Sequence, residues 1–343
     1  MRLLLVTQVV DSTDSRLGFF HSWIKKLAPS LESIEVICLY QGVHDLPPNV
    51  HVHSLGKEKG SVSKLQYSIR FLGLIWRLRN QYDRIFVHMN EEYVLLGGVF
   101  WNIARKKVFL WRNHYAGSLW TRIAGMLCSE VFYTSDYSYT ARFRNALQMP
   151  VGVDTSLFHP VGDTRKKYSI LFFGRITPSK KPDLLIDALA LLHKKKTSFT
   201  ASFYGPTLPN EQGYLMSLRE KVKQSDLTEH IAFYDGVEHS KALELFGEHE
   251  IYVNLGESGM FDKTLFEASA SGCIVLALST DFRKALTHPI LFEAAAPSLA
   301  QMIEQILQLP EEKKEQIRQE QYALVSEHSL DTLMSKLTSG ILA

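Results

Sequence analysis

The feature that most constrains this chain is a rhythm. Short unbroken apolar runs alternate with longer stretches of helical spacing, and the whole series occurs twice. The first series of runs falls at residues 3–10, 34–40, 50–55, 84–89, 108–111 and 131–135. Continuous rather than alternating apolar runs predict strands buried on both faces, as in a parallel sheet. Between them, residues 18–27, 64–79, 93–105, 118–128 and 137–146 have the spacing of helices. The pattern restarts with strands expected at 169–173, 200–204, 231–234, 251–255, 273–278 and 290–292, and helices near 183–193, 211–224, 240–246, 263–271, 282–285 and 299–307. Strand and helix in strict alternation imply a doubly wound sheet. Residues 149–167, rich in Pro, Gly and charge, have the makings of a linker between two such sheets. The reading is therefore an α/β chain of two Rossmann-like doubly wound domains facing each other across a cleft. The boundaries are expected at 1–160 and 161–314, with a helical tail at 315–343 returning to the N-terminal domain. Open parallel sheets bind ligands beyond the carboxyl ends of their strands, so the chemistry belongs in the loops that follow strands.

Composition narrows the class. The 343 residues suit two cores better than one, and a net charge of +2 argues against nucleic acid as a partner. Cys38, Cys128 and Cys273 are far apart in apolar runs, without disulfide or metal-ligand spacing, so buried thiols in a reducing compartment are expected and no metal site is. Residues 1–7 read as a first strand rather than a signal peptide, and no apolar stretch is long enough to span a bilayer. A cytoplasmic protein is expected, with contact at the cytoplasmic face of a membrane left open.

Two loops of the second series carry the chemistry. In the first, a strand ends at Gly174, and Arg175 and Lys180 precede a helix that starts near Pro182. Cations beside a helix N-terminus suit a diphosphate, although a solvated basic loop fits the residues equally well. In the second loop, Gly256 and Gly259 flank Glu257 just before a helix opening near Lys263. Exposed backbone N–H groups there can form an anion- or hydroxyl-binding nest. Glu267 lies one helical turn beyond Lys263, placed to accept ribose hydroxyls or simply to form a surface ion pair.

These phrases together resemble the large retaining glycosyltransferase family of GT-B fold, family 4. The resemblance rests on Gly174, Arg175 and Lys180 followed by Leu184-Leu185-Ile186-Asp187-Ala188; on Glu267-Ala268-Ser269-Ala270-Ser271-Gly272; and on Gly152-Val153-Asp154. Tyr204-Gly205-Pro206 and Phe233-Tyr234-Asp235-Gly236-Val237 add to it, in order. The resemblance implies transfer of a sugar, with retention and without a metal ion or other cofactor, from a UDP- or GDP-sugar to a glycan or lipid-linked acceptor. It makes the first domain the acceptor side and the second the nucleotide-sugar side. It implies that Arg175 and Lys180 neutralise the leaving diphosphate, and that Glu267 holds the ribose. Backbone near Val237 would face the base, and backbone at Gly259, Met260, Phe261, Asp262 and Lys263 the sugar and phosphates. The family usually has a glutamate where this chain has Gly259, with Glu257 and Asp262 as the nearest stand-ins. A nucleotide-sugar epimerase, a phosphorylase, or a non-catalytic sugar-nucleotide binder of the same fold remain alternatives.

In the first series, Gly18 matches a glycine that the family places near donor phosphates, and equally suits a polar helix-entry loop. His88 and His114 each end a strand run. By the resemblance His114 meets the donor sugar or reacting centre, and His88 is a further candidate. Arg112 and Asn113 are acceptor-side candidates. Residues 64–79, basic and aromatic, admit peripheral contact with an anionic membrane, though a helix apolar on most faces is expected to be buried.

Overall fold

A computed structural model describes residues 1–14, 17–160, 165–238, 241–259, 262–288 and 290–342. Contacts divide the chain into two units, one of Met1–Gly152 with Leu330–Ala343 and one of Val153–Ser329. The division falls inside the expected linker, and the end of that stretch, Lys166 and Lys167, is already strand.

The first unit is built on β1 (Arg2–Val10), β2 (Ser33–Gln41), β3 (Val50–Ser54), β4 (Arg84–His88), β5 (Lys107–Trp111), β6 (Glu130–Tyr133) and β7 (Ala146–Gln148). All pair in parallel, in the order β3-β2-β1-β4-β5-β6-β7. The connecting helices are α1 (Gly18–Leu27), α2 (Lys64–Arg77), α3 (Glu91–Ile103) and α4 (Leu119–Met126). Local sequence starts two of them through reciprocal caps. Ser63 Oγ accepts from Gln66 N at 3.3 Å while Ser63 N donates to Gln66 Oε1 at 3.0 Å, and Ser118 and Thr121 do the same for α4.

The second unit has β8 (Lys166–Phe173), β9 (Thr200–Tyr204), β10 (Ile231–Tyr234), β11 (His249–Asn254) and β12 (Ile274–Ala277), parallel in the order β10-β9-β8-β11-β12. Its helices are α5 (Pro182–Lys194), α6 (Gln212–Gln224), α7 (Ala242–Glu248), α8 (Lys263–Ala270), α9 (Thr280–Lys284), α10 (Ala296–Gln308) and α11 (Glu311–Glu327). The last helix, α12 (Leu330–Leu342), packs against α1 in the first unit, so the tail divides between the two units.

Each sheet has a core on its faces. In the first unit Phe20, Trp23, Leu333 and Leu337 fill one side, and Phe71, Ile75, Tyr82 and Trp101 the other. The polar ends of the large rings are satisfied there: Trp101 Nε1 donates to Tyr82 Oη at 3.0 Å, and Tyr82 Oη to Ile75 O at 3.1 Å. In the second unit Leu185, Leu189, Phe203, Ile251 and Ile303 are fully buried. Fully burying each such side chain contributes about 1.5–3 kcal/mol. All three cysteines are free and buried, and burial pushes the Cys38 and Cys273 thiols up to about 12.

Two expected elements are replaced. Residues 137–146 form a 3₁₀ turn, Tyr139–Arg142, and then the unanticipated β7 rather than a helix. The side chains of that stretch bind the backbone of neighbouring elements, which competes with a helix: Thr140 Oγ1 donates to Arg112 O at 2.7 Å, and Asn145 Nδ2 to Gly125 O and Cys128 O. Residues 290–292 make no strand. Phe292 is buried against the core, and its carbonyl accepts from Arg283 Nη1 at 3.2 Å instead of joining a ladder beside β12.

Candidate functional site

The second sheet reverses its strand order between β8 and β11, so the loops after these two strands diverge and leave a crevice at their carboxyl ends. The loop after β8 begins at Gly174, whose φ of +151° is costly for other residues. Among the described residues nothing lies within 4 Å of where its Cβ would stand, which leaves its backbone open to an approaching ligand. The loop after β9 supports it from behind. Gly205 packs so closely that a Cβ there would lie 1.8 Å from Gly174 O, and Ile176 N donates to Pro206 O at 3.1 Å. Arg175 is exposed, and its guanidinium has no hydrogen-bond partner among the described residues.

Lys180 links this loop to the one after β11. Its Nζ lies 2.6 Å from Asp262 Oδ2, with the two side chains 20% and 25% exposed. Asp262 is also the N-cap of α8, accepting from Thr264 N at 3.2 Å and Thr264 Oγ1 at 2.8 Å. Asn254, the last residue of β11, donates to Asp262 Oδ2 at 3.1 Å and to Tyr252 Oη at 2.9 Å. Tyr252 Oη reaches back to Phe173 O, the end of β8, at 3.2 Å. Burial works against the Asp262 charge, but the Lys180 ammonium and the hydrogen bonds from Lys180, Asn254 and Thr264 outweigh it. The carboxyl is held well below the usual range. Asn254, Tyr252 and Thr264 were not singled out in the sequence, where a strand-terminal Asn was the available signal.

Along α8, Glu267 is buried at 2% exposure and the Lys263 side chain is half-buried, so the surface-pair reading does not hold. Burial, opposed by the charges of Glu267 and Asp154, brings the Lys263 ammonium down to about 8. Asp154, from the linker phrase, is thus a third member of the group. Gly259 is buried with φ +95°, and its N–H donates to Asp281 Oδ2 at 3.0 Å. Asp281, itself buried, is a site-adjacent carboxylate that sequence reasoning missed. Of the two stand-ins for the family glutamate, Asp262 is committed to Lys180 and the helix cap, and Glu257 is largely exposed, 3.6 Å from Lys181 Nζ. Gly256, Glu257, Ser258, Lys181 and Arg283 border an open depression of about 510 Å³. Val237 lies in the loop after β10, beyond β9 from the crevice. Met260 and Phe261 lie outside the described residues.

The first sheet has its own reversal, between β1 and β4. Gly18 opens α1 after β1, and a Cβ there would stand 3.0 Å from Ser12 O. His88, at the end of β4, is 2% exposed and stacks on Phe20 with ring centroids 3.8 Å apart. Its Nδ1 lies 3.3 Å from Thr7 Oγ1. It is a member of an aromatic cluster with Phe19 and Trp23 rather than an open ligand-facing group. His114, after β5, is half-buried. Its Nδ1 accepts from Ala116 N at 3.0 Å, so the neutral ring carries its proton on Nε2. A weaker contact to Ala116 O at 3.4 Å suggests the opposite tautomer, but an N–H cannot accept, and the shorter bond decides. Arg112 pairs with Glu91, and Asn113 Oδ1 accepts from Thr134 N and Ser135 N. Both hold loops together and are not displayed as acceptor contacts.

Known proteins resemble this chain in sequence and in fold. Residues 155–323 match the family model described as glycosyl transferases group 1. A relative in Streptococcus pneumoniae, the GtfA subunit of UDP-N-acetylglucosamine–peptide N-acetylglucosaminyltransferase, is 23% identical over 188 residues, 53% of this chain and 36% of that protein. Mannosylfructose-phosphate synthase of Agrobacterium fabrum is 24% identical over 147 residues, 39% of this chain and 32% of that protein. The chain thus matches only about a third of the length of these curated relatives. Among solved structures, Anabaena HepE in complex with UDP and glucose superimposes with a TM-score of 0.80 at 19% identity, covering 100% of this chain and 99% of that one. Sucrose-phosphate synthase of Thermosynechococcus elongatus does so with a TM-score of 0.78 at 14% identity, covering 99% and 98%. Residues 155–323 are therefore similar to the glycosyl transferases group 1 family, within a chain whose two doubly wound units have the GT-B fold.

Proposed function

We propose that this chain transfers a sugar, with retention and without a metal ion or cofactor, from a UDP- or GDP-sugar to a glycan or lipid-linked acceptor. The observation that carries the reading is the junction at the second sheet's reversal. There Lys180 and Asp262 tie the two loops together beside an unshielded Gly174 and an unengaged Arg175. A diphosphate seated there meets a guanidinium and an ammonium, whose charge offsets the charge that builds on the leaving group. Removing one such preorganised donor typically costs about 3–4 kcal/mol in the transition state. Glu267 accepts the ribose hydroxyls, and backbone from Gly259 to Lys263 meets sugar and phosphates. Backbone near Val237 faces the base, and the resemblance also assigns Gly18 to the donor phosphates. His114, with its proton on Nε2, donates to a donor-sugar hydroxyl. In this reading the acceptor attacks from the face the diphosphate leaves, and the departing phosphate oxygen takes the acceptor's proton. No second carboxylate is then required, in keeping with a glycine at position 259. UDP is the first nucleotide to test, because the streptococcal relative's name carries a UDP-linked sugar and the Anabaena structure holds UDP.

The test is release of UDP from a panel of UDP-sugars and acceptors by the wild type and Arg175→Ala. Turnover equal to wild type in the folded variant would overturn the assignment. A second reading, a sugar-nucleotide binder without transfer, is favoured by the missing glutamate at Gly259. Calorimetric UDP binding with no transfer to any acceptor would select it. Conversion of a UDP-sugar to its epimer without acceptor would select the epimerase.

A further inference from the structure

The helix expected to be buried is not. α2 buries Phe71 and Ile75 on one face and turns a second apolar stripe outward: Leu65, Ile69, Leu72 and Trp76, at 69%, 60%, 40% and 59% exposure. These four recur at helical spacing and share one side of the helix. The stripe continues onto α3, because Trp76 meets Phe100 with ring centroids 5.7 Å apart and Val99 and Ile103 are exposed at 56% and 78%. It continues again onto α4, which is bound to α3 through Asn102 Nδ2 on Leu127 O and carries exposed Leu119, Trp120 and Met126. Three helices of the first unit thus offer one apolar band. Singly exposed apolar residues need no explanation, but a contiguous band of this kind marks a docking surface.

Charge identifies the occupant. Residues 64–126, which contain the three helices, hold ten Lys and Arg against three Asp and Glu, although the chain as a whole is only +2. Lys64, Arg77, Arg105 and Arg122 are exposed, and the Arg79 guanidinium lies 4.5 Å over the Trp76 ring. A second copy of the same face would bring like charges together, which disfavours a symmetric dimer. An anionic lipid surface satisfies both features, taking the apolar stripe and indole rings at the headgroup boundary and the cations at its phosphates. We infer that α2, α3 and α4 form a peripheral docking face for an anionic membrane. This inference does not depend on the transfer reaction.

The test is co-sedimentation of the full chain with phosphatidylglycerol–phosphatidylcholine vesicles and with phosphatidylcholine alone. Binding is expected to the anionic vesicles only, and to weaken with salt. Ile69→Ser with Trp76→Ser should weaken it at least about tenfold, as loss of inserted apolar surface requires. Arg77→Glu with Arg122→Glu should do the same through charge. All four positions face solvent, so the variants stay folded and keep the thermal shift given by UDP, with a loss of at most a few degrees in melting temperature where Trp76→Ser gives up its contact with Phe100. No binding to anionic vesicles, or binding unchanged in either variant, overturns the inference. So does a dimer in solution that Trp76→Ser converts to monomer, since a second copy would then be the occupant.

Discussion

Replacing Lys180 by Ala separates a structural cation from a ligand-binding one. The 2.6 Å contact to Asp262 is a charge-assisted hydrogen bond between side chains that are each about one-quarter exposed. Such bonds contribute about 1.5–3 kcal/mol, and partial solvation brings this one toward about 1–2 kcal/mol. Asp262 keeps its bonds from Asn254 and Thr264, so the loop should stay folded. A melting temperature lower by about 3–6 °C is expected for a domain of this size. The loss carries a pH signature. The Asp262 carboxyl is depressed in the folded state, so its stabilisation is fully present above its unfolded value of 3.8 and is lost as pH falls through the folded value. The difference between wild type and variant, measured by urea unfolding, should be full at pH 7 and narrow below pH 3.8.

On the proposed reading, the same substitution also removes a donor to the diphosphate. Calorimetric titration with UDP should show affinity reduced about 10- to 100-fold, since each 1.4 kcal/mol is a factor of ten. Asp262→Asn is the contrasting variant. It weakens the cap of α8 but frees the ammonium, so UDP should bind at least as tightly as to wild type. If Lys180→Ala melts earlier yet binds UDP within twofold of wild type, Lys180 is a structural cation and the diphosphate assignment is wrong.

Four further outcomes test the reading. The Lys263 ammonium is lowered to about 8 from 10.5, so the unfolded chain binds the extra proton between these values and stability should rise with pH across that window, a rise that Lys263→Met abolishes in urea titrations. If the Lys263 ammonium as well as its backbone meets the phosphates, UDP affinity should fall as pH passes about 8 and remain level in Lys263→Arg, whose charge persists; a level wild-type profile would confine the role of Lys263 to its backbone. Gly259→Ala should destabilise by about 1–2 kcal/mol because φ is +95°, and an unchanged melting temperature would show that the loop does not need this conformation. His114→Ala should lower transfer about 100-fold while UDP binding stays within twofold, and a loss of nucleotide affinity instead would make His114 a scaffold residue.

The second unit was the more legible of the two because its chemistry is local. Gly174, Arg175 and Lys180 sit within one strand-end loop, and Lys263 and Glu267 within one helical turn, so sequence spacing alone places them. What spacing could not give was the closure of the site. Lys180 and Asp262 are separated by 82 residues, and Gly259 and Asp281 by 22, and only the pairing of β8 with β11 and of β11 with β12 brings them together. The histidines show the same divide. Both end strands in the sequence, yet His88 turns under Phe20 while His114 stays at the loop surface, a choice made by where α1 packs.

Periodicity alone cannot decide which side of α2 is buried. The helix carries two apolar stripes, one through Phe71, Ile75 and Leu78 and one through Leu65, Ile69, Leu72 and Trp76. A helical period registers both and implies burial all round. Which stripe meets the sheet depends on the partners offered by other elements. Phe71 finds Tyr93 and Trp101 at centroid distances of 5.0 and 6.2 Å, and Ile75 O accepts from Tyr82 Oη, so that stripe is fixed inward. The second stripe then faces out because one sheet face can cover only one side of a helix. Its exposure is a consequence of the first stripe's packing, which is why substitutions at Ile69 and Trp76 should alter membrane binding far more than they alter the melting temperature.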